Sequence, residues 1–258
     1  MFLEKMAALK KEEIHQRKAF SSLEKIKDKI ARLPPPKNLL DSIRKSRPLA
    51  LIAEIKQASP SAGTIWEGAD LPLRAKQYEE GGACAISVVT EGHFFHGSLI
   101  HLHQVKAVTS LPVLQKDFII DPLQIYEGRA AGADAVLLIA AMLERSRLED
   151  LFELARGLGL VPLVEVHDEE DLAKVPGLHL PLMGINNRNL KTLEVDLATT
   201  PRLISKMPRG TPVISESGIQ KRQDVEGLQE AGVQGILVGE ILMRSASPAN
   251  KIRELLGL

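Results

Sequence analysis

The sequence predicts an α/β protein, a (β/α)8 TIM barrel with an N-terminal helical extension. Three observations predict it. Eight short apolar runs recur along the chain: 49–56 (LALIAEIK), 84–90 (CAISVVT), 112–118 (PVLQKDF), 135–140 (AVLLIA), 161–167 (VPLVEVH), 181–186 (PLMGIN), 212–217 (PVISES) and 235–240 (GILVGE). They are almost continuously apolar rather than alternating, as strands covered on both faces are. Polar stretches long enough for a loop and a helix separate them, and no G-x-G-x-x-G follows the first run, so a closed barrel is favoured over a dinucleotide-binding open sheet. The length of 258 residues suits a barrel of about 250 residues.

The elements follow in order. Residues 1 to about 32 are rich in Lys, Glu, Ala and Leu, and Phe2, Leu3, Met6, Leu9 and Ile14 recur at near-helical spacing. They read as an amphipathic helix, stopped by Pro34, Pro35 and Pro36, since proline lacks the amide donor and restricts its predecessor. A second short helix is expected over roughly 38–46, before Pro48. The chain is read as one domain, 1–258, with the extension over 1–47 and the barrel over 48–258. Gly81-Gly82-Ala83, Gly132-Ala133 and Gly232-Val233 stand just before strands, where a helix closes on a left-handed glycine.

The bulk chemistry excludes several classes. Lys plus Arg and Asp plus Glu both number 33, so no global field draws the chain to nucleic acid or an anionic membrane. Cys84 is the only cysteine, which rules out an internal disulfide and suits a reducing, cytoplasmic setting. No apolar run approaches the roughly 20 residues of a membrane span. The expected partner is a small phosphorylated molecule, with no nucleic acid and no membrane, acting on a monomer or a weak homodimer.

Charges inside apolar strands need a reason, and in a barrel the carboxyl ends of the strands face the active site. The first run ends Glu54-Ile55-Lys56, with the two charges on one face. The third ends Gln115-Lys116-Asp117, the fifth carries Glu165, the sixth ends Asn186-Asn187-Arg188, and the seventh ends Ser215-Glu216-Ser217-Gly218. One such charge is as easily a solvated strand end as a functional group, but five strands ending this way at one rim point to a site. A lysine among glutamates can act as a general acid, and a desolvated carboxylate as a base. A lysine that forms a Schiff base with a carbonyl remains an open alternative. Ser217-Gly218 and Gly239-Glu240 lie after the last two strands, where barrels often bind phosphate on backbone amides. His93, His96, His101 and His103 lack the cysteines or tight carboxylate pattern of a metal site and read as surface or loop residues. Trp66 either caps the pocket or packs in its loop, and Phe94-Phe95 either stack on a planar ring or anchor theirs.

Taken together, these residues resemble a known family. Glu54-Ile55-Lys56-Gln57-Ala58-Ser59-Pro60-Ser61-Ala62-Gly63 is similar to the E-x-K-x-x-S-P-S-x-G signature of indole-3-glycerol-phosphate synthases. Segments around Ser87–Glu91, Phe95–Ser98, Leu114–Phe118, Glu165–His167, Gly184–Leu190, Ser215–Ile219 and Leu237–Glu240 follow in the same order. Gln57 and Ala62 depart from the family's frequent lysines, which removes positive charge from the loop after the first strand. The resemblance implies a decarboxylating ring closure of 1-(2-carboxyphenylamino)-1-deoxyribulose 5-phosphate, with no metal and no organic cofactor. It implies Lys116 as general acid on the ketone oxygen and Glu165 as acid and base of the dehydration, which removes the hydroxyl and the amine proton. Lys56 and Arg188 would hold the carboxylate, Glu54 the lysines, and Asn186 a substrate hydroxyl or the amine. Phe95 and Leu137 would wall the ring, Glu216 and Ser217 contact the substrate, and Ser59, Gly218, Gly239 and Glu240 bind the phosphate, with Ser217 beside them.

Overall fold

The computed structural model describes residues 2–258 except 67, 69, 176–178 and 208–209. Among the described residues, eight parallel strands close into a barrel. They are β1 (Ala50–Ile55), β2 (Ala85–Val89), β3 (Val113–Lys116), β4 (Ala135–Ile139), β5 (Val161–Val166), β6 (Met183–Asn186), β7 (Val213–Glu216) and β8 (Gly235–Val238). Each lies inside one of the expected runs. Ala50 to Ala53 pair with Gly235 to Val238 and close the ring.

Strand parity sorts the side chains into two cores. Leu51, Ala53, Ile86, Val88, Val136, Leu138, Val164, Val166, Ile185 and Val213 belong to a cluster shared with the helices, including Leu151, Phe152 and Leu228. The alternate residues Ala50, Ile52, Ala85, Leu114, Ala135, Leu137, Leu163, Ile214 and Leu237 form the separate interior cluster. Side chains along a strand alternate faces, so Glu54, Lys116, Glu165, Asn186 and Glu216 continue the inward rows. Gln115 and Ser215 do not, although they sit at the same strand ends. Gln115 packs against Gly128 of α6 (Pro122–Ala131) so closely that a Cβ there would lie 1.8 Å from its Oε1. Ser215 bonds Asn187 and Thr200 at 3.0 and 2.8 Å. The five polar strand ends share one rim, but of their side chains Gln115 and Ser215 face the helices.

Gly82, Gly132 and Gly232 have φ of 97°, 107° and 94°, the left-handed geometry expected where helices give way to strands.

The N-terminal segment is not one helix over 1–32. It forms α1 (Phe2–Phe20) and α2 (Leu23–Ala31), broken at Ser21-Ser22. Ser22 is extended and its side chain accepts from the Lys25 amide at 3.4 Å, and serine favours such caps over helix interiors. Then α3 (Leu39–Lys45) starts from an Asn38 cap. Its Leu39 and Ile43 join Ala50, Cys84 and Leu182 in the interior cluster, which seals the end of the barrel where the strands begin. Burial pushes the Cys84 thiol up to about 11, so it stays protonated and unreactive near neutrality.

At the opposite end, α1 is tied down by charge. Lys10 is fully buried, and its Nζ lies 2.9 Å from both Asp117 Oδ1 and Glu13 Oε2. Asp117 also accepts from the Thr90 hydroxyl at 2.6 Å. Arg17 pairs with Glu127 at 3.1 Å and Lys18 with Asp121 at 2.7 Å. Phe2 packs edge-on against Phe94 and Phe118, with ring centroids 5.6 and 6.0 Å away.

Removing one partner of a buried ion pair leaves the other charge desolvated, at a cost of about 3–5 kcal/mol. Lys10→Met is therefore expected to lower stability by about 3 kcal/mol, read as a lower urea midpoint, whereas Lys18→Met on the exposed end of α1 is expected to change it by less than about 1 kcal/mol.

Candidate active site

The carboxyl ends of the strands open into a cavity of about 870 Å³. All the candidate residues line it: Glu54, Lys56, Ser59, Phe95, Lys116, Leu137, Glu165, Asn186, Arg188, Glu216, Ser217, Gly218, Gly239 and Glu240. Strand parity explains why they converge. Glu54 continues the Ala50 and Ile52 row, Lys116 the Leu114 row, Glu165 the Leu163 row, and Glu216 the Ile214 row.

Lys116 stands at the centre. Its Nζ is 3.6 Å from Glu165 Oε2, 3.7 Å from Glu216 Oε2 and 4.0 Å from Glu54 Oε2. Burial disfavours its charge, but the carboxylates of Glu165, Glu216 and Glu54 outweigh that and raise its pKa. Lys56 lies 2.8 Å from Glu54 Oε1. Burial disfavours the Glu54 anion, yet Lys56 and Lys116 hold its carboxyl below the usual range.

Glu165 is 1 % exposed. Burial favours its neutral form, but Lys116, His167 and Asn186 together keep it ionised. Glu216 goes the other way. Burial and the neighbouring Glu165 charge push its carboxyl well above the ordinary value, and Lys116 only partly compensates. Of the three glutamates around Lys116, Glu216 is thus the one driven toward its protonated form.

Two glycines make room for these carboxylates. A Cβ on Gly184 would fall 2.3 Å from Glu216 Oε1, and one on Gly239 would fall 2.4 Å from Glu54 Oε1. Gly239 has a negative φ of −125°, and the Glu54 carboxylate fills the space where its side chain would be. Gly218 and the preceding Ser217 both take positive φ, 84° and 66°. A side chain on Gly218 would strike Val195 Cγ1 at 2.6 Å, because the loop after β6 folds over the loop after β7.

Some candidates are engaged within the protein. Asn186 donates to Glu165 Oε1 at 3.2 Å and accepts from the Arg188 amide at 3.0 Å. Arg188 Nη1 donates to the Leu193 carbonyl at 2.9 Å, which turns the guanidinium along its own loop. Ser59 Oγ accepts from the Ala62 amide at 3.1 Å. Trp66 stacks on Arg74 at 4.1 Å, away from the cavity lining. His101 and His103 lie on the helix α5 (Leu99–Lys106) rather than in a loop, and among the described residues no acidic, His or Cys cluster could hold a metal.

Sequence reasoning assigned no role to four residues the structure brings to the site. Phe2 of α1 lines the cavity, which no spacing rule could show. Glu91 is fully buried and accepts from the amides of His93, Phe94 and Phe95 at 2.7, 2.8 and 3.1 Å, fixing the loop that presents Phe95. His167 and Asp171 stand behind Glu165. For His167 a signal existed, since it falls two residues after Glu165 and so on the same face.

The chain matches the family model described as indole-3-glycerol phosphate synthase over residues 3–255. It is 43% identical over 256 residues to the indole-3-glycerol phosphate synthase of Desulforamulus reducens, covering 99% of this chain and 97% of that one. With that of Desulfotalea psychrophila the identity is 45% over 255 residues, 98% and 97% of the two chains. Among solved structures, the thiamine phosphate pyrophosphorylase from Pyrococcus furiosus superposes with a TM-score of 0.62 at 16% identity, over 84% of this chain and 96% of that one. That likeness speaks to the barrel alone. The match along nearly the whole chain, on a barrel whose strand ends bring the signature residues into one cavity, places this protein in the indole-3-glycerol phosphate synthase family.

Proposed function

We propose that the cavity closes the indole ring of 1-(2-carboxyphenylamino)-1-deoxyribulose 5-phosphate, releasing carbon dioxide and water to leave indole-3-glycerol phosphate, a step of tryptophan biosynthesis. The observation that carries this reading is the Lys116 ammonium held within 4.0 Å of three carboxylates at the floor of the cavity.

Ring closure needs a cation where the ketone oxygen gains charge, because that interaction is stronger in the transition state than in the bound substrate. Lys116 supplies it. Its carboxylate neighbours keep it protonated until an oxygen more basic than the amine develops beside it, and the proton then moves to that oxygen. The ring carbon that bears the carboxylate attacks, and loss of carbon dioxide restores the aromatic ring. Lys56 and Arg188 hold the departing carboxylate, and Phe95 and Leu137 wall the ring.

Dehydration of the resulting alcohol needs one group that takes a proton and then gives one to the leaving hydroxyl. Glu165 starts ionised and serves first as base, then as acid. Asn186, already spent on Glu165 and on the Arg188 amide, acts as the clamp of that carboxylate. Glu216, driven toward its protonated form by burial and Glu165, donates a hydrogen bond to a substrate oxygen when it carries the proton, which a carboxylate cannot do. The phosphate sits on the amides of Gly218, Gly239 and Glu240, with Ser59 and Ser217 beside them.

Lys116→Met and Glu165→Gln are each expected to lower kcat by about 10²–10⁴-fold with an unchanged circular dichroism spectrum, measured by the fluorescence of the indole product. Wild-type turnover is expected to persist in EDTA. Borohydride added with substrate is expected to leave both Lys56 and Lys116 unlabelled in mass spectra; a trapped imine would instead favour the Schiff-base alternative. Gly239→Ala displaces the Glu54 carboxylate from between the two lysines, and the expected loss is about 10²-fold in kcat.

A further inference from the structure

Behind Glu165 lies a second, buried pair that the ring-closing chemistry leaves without a role. His167 follows β5, with its side chain 8 % exposed, and each ring nitrogen faces a carboxylate. Nε2 is 3.0 Å from Glu165 Oε1, and Nδ1 is 3.1 Å from Asp171 Oδ2. Asp171 comes from the short helix α8 (Glu169–Leu172) and is itself buried. It also accepts from the His167 amide at 3.0 Å, while its own amide donates to the Asp168 cap at 2.9 Å. Lys174 Nζ stands 3.8 Å from its other oxygen and donates to the Ala140 carbonyl at 2.7 Å.

A neutral imidazole has one N–H and one lone pair. Nδ1 is hydrogen-bonded to Asp171, whereas Nε2 is close to Glu165 without a hydrogen bond, so with a carboxylate at each nitrogen the surroundings favour the imidazolium. Burial opposes that charge, but Asp171 and Glu165 outweigh it and push the His167 pKa up to about 9. Beyond Glu165 stand Lys116 and Glu216, and beyond Asp171 stands Lys174. The cation therefore sits on the Oε1 side of Glu165, together with the Asn186 amide, whereas Oε2 faces Lys116 and the cavity.

We propose that His167, fixed by Asp171, is the positioning residue that holds Glu165 turned with Oε2 toward the reacting atoms. This rests on the reading of Glu165 as the base of the dehydration. Without the imidazolium, burial acts on Glu165 against Lys116 and the Asn186 amide. An opposite charge this close lowers a carboxyl pKa by about 1–3 units, so its removal raises the Glu165 pKa by a comparable amount.

The folded pKa of His167 lies above its ordinary value of 6.5, so the cation is present at neutral pH and is lost as pH rises through about 9. Glu165 stays ionised there, but the neutral ring no longer draws its Oε1 away from the cavity, and the rate is expected to fall as that orientation is lost.

The test combines the pH dependence of kcat with NMR of the ¹⁵N-labelled histidine ring. In the wild-type enzyme both ring nitrogens of His167 are expected to be protonated at pH 7, with a titration midpoint near 9. Asp171→Asn keeps an acceptor for Nδ1–H but removes the charge. It is expected to move the midpoint, and the alkaline limb of kcat with it, down by about 1–2 units. His167→Asn is expected to abolish that limb, move the acid limb upward, and lower kcat about tenfold or more with little change in KM.

A neutral His167 ring in the wild type at pH 7 would overturn the proposal. So would profiles in both variants that keep the wild-type shape and differ only in height, because a merely structural histidine behaves that way. Asp171→Asn preserves the shape of the side chain and keeps the test decisive if His167→Asn does not fold. Full activity in Glu165→Gln with a cationic His167 ring would instead defeat the reading of Glu165 and not the charge state of His167.

Discussion

The rest of the site depends on one electrostatic constraint, a lysine ammonium and three glutamates confined to the floor of a barrel. Charges this deep persist only when paired. Lys116 is stable as a cation because Glu54, Glu165 and Glu216 crowd it, and those carboxylates cannot all stay ionised at such separations. The pKa values accordingly split, with Glu54 and Glu165 driven down and Glu216 driven up. One residue type thus yields two kinds of carboxyl group, two held below the ordinary value and one driven above it. That division arises from neighbours and burial, since all three are glutamates at strand ends.

The scaffold serves that cluster by leaving space and by fixing direction. Gly184 and Gly239 yield their Cβ positions to the Glu216 and Glu54 carboxylates. Asn186 holds Glu165 from β6, and Glu91 organises the loop that carries Phe95. The buried Lys10–Asp117 pair joins α1 to the residue next to Lys116, so the N-terminal extension is anchored where the chemistry is placed. Phe2 then completes the cavity wall from the same helix.

Much of this was legible in the sequence, for definite reasons. Continuous apolar runs mark strands that are buried twice, and all eight strands fall inside them. Inward charges stand out because an apolar strand has no other use for them. What escaped depended on proximity between distant segments. The near-helical spacing of Phe2 to Ile14 and the helix-rich composition up to about residue 32 concealed the break at Ser21-Ser22, where one serine caps a new helix. The raised carboxyl of Glu216 requires Glu165 beside it, and the raised imidazole of His167 requires Asp171 on its far side. Gln115 and Ser215 were grouped with the site although strand parity alone could have placed them on the outer face.

That parity has a wider consequence. Residues that dock the helices and residues that face the substrate alternate along each strand, one position apart. Two largely separate texts are therefore written on the same eight short segments. The outer text docks the helices, while the inner one fills the barrel interior and carries the polar residues at the strand ends. A barrel at 16% identity can share this architecture because helix docking constrains only the volume and apolarity of every second residue. The inner row is left free to diverge into other chemistries.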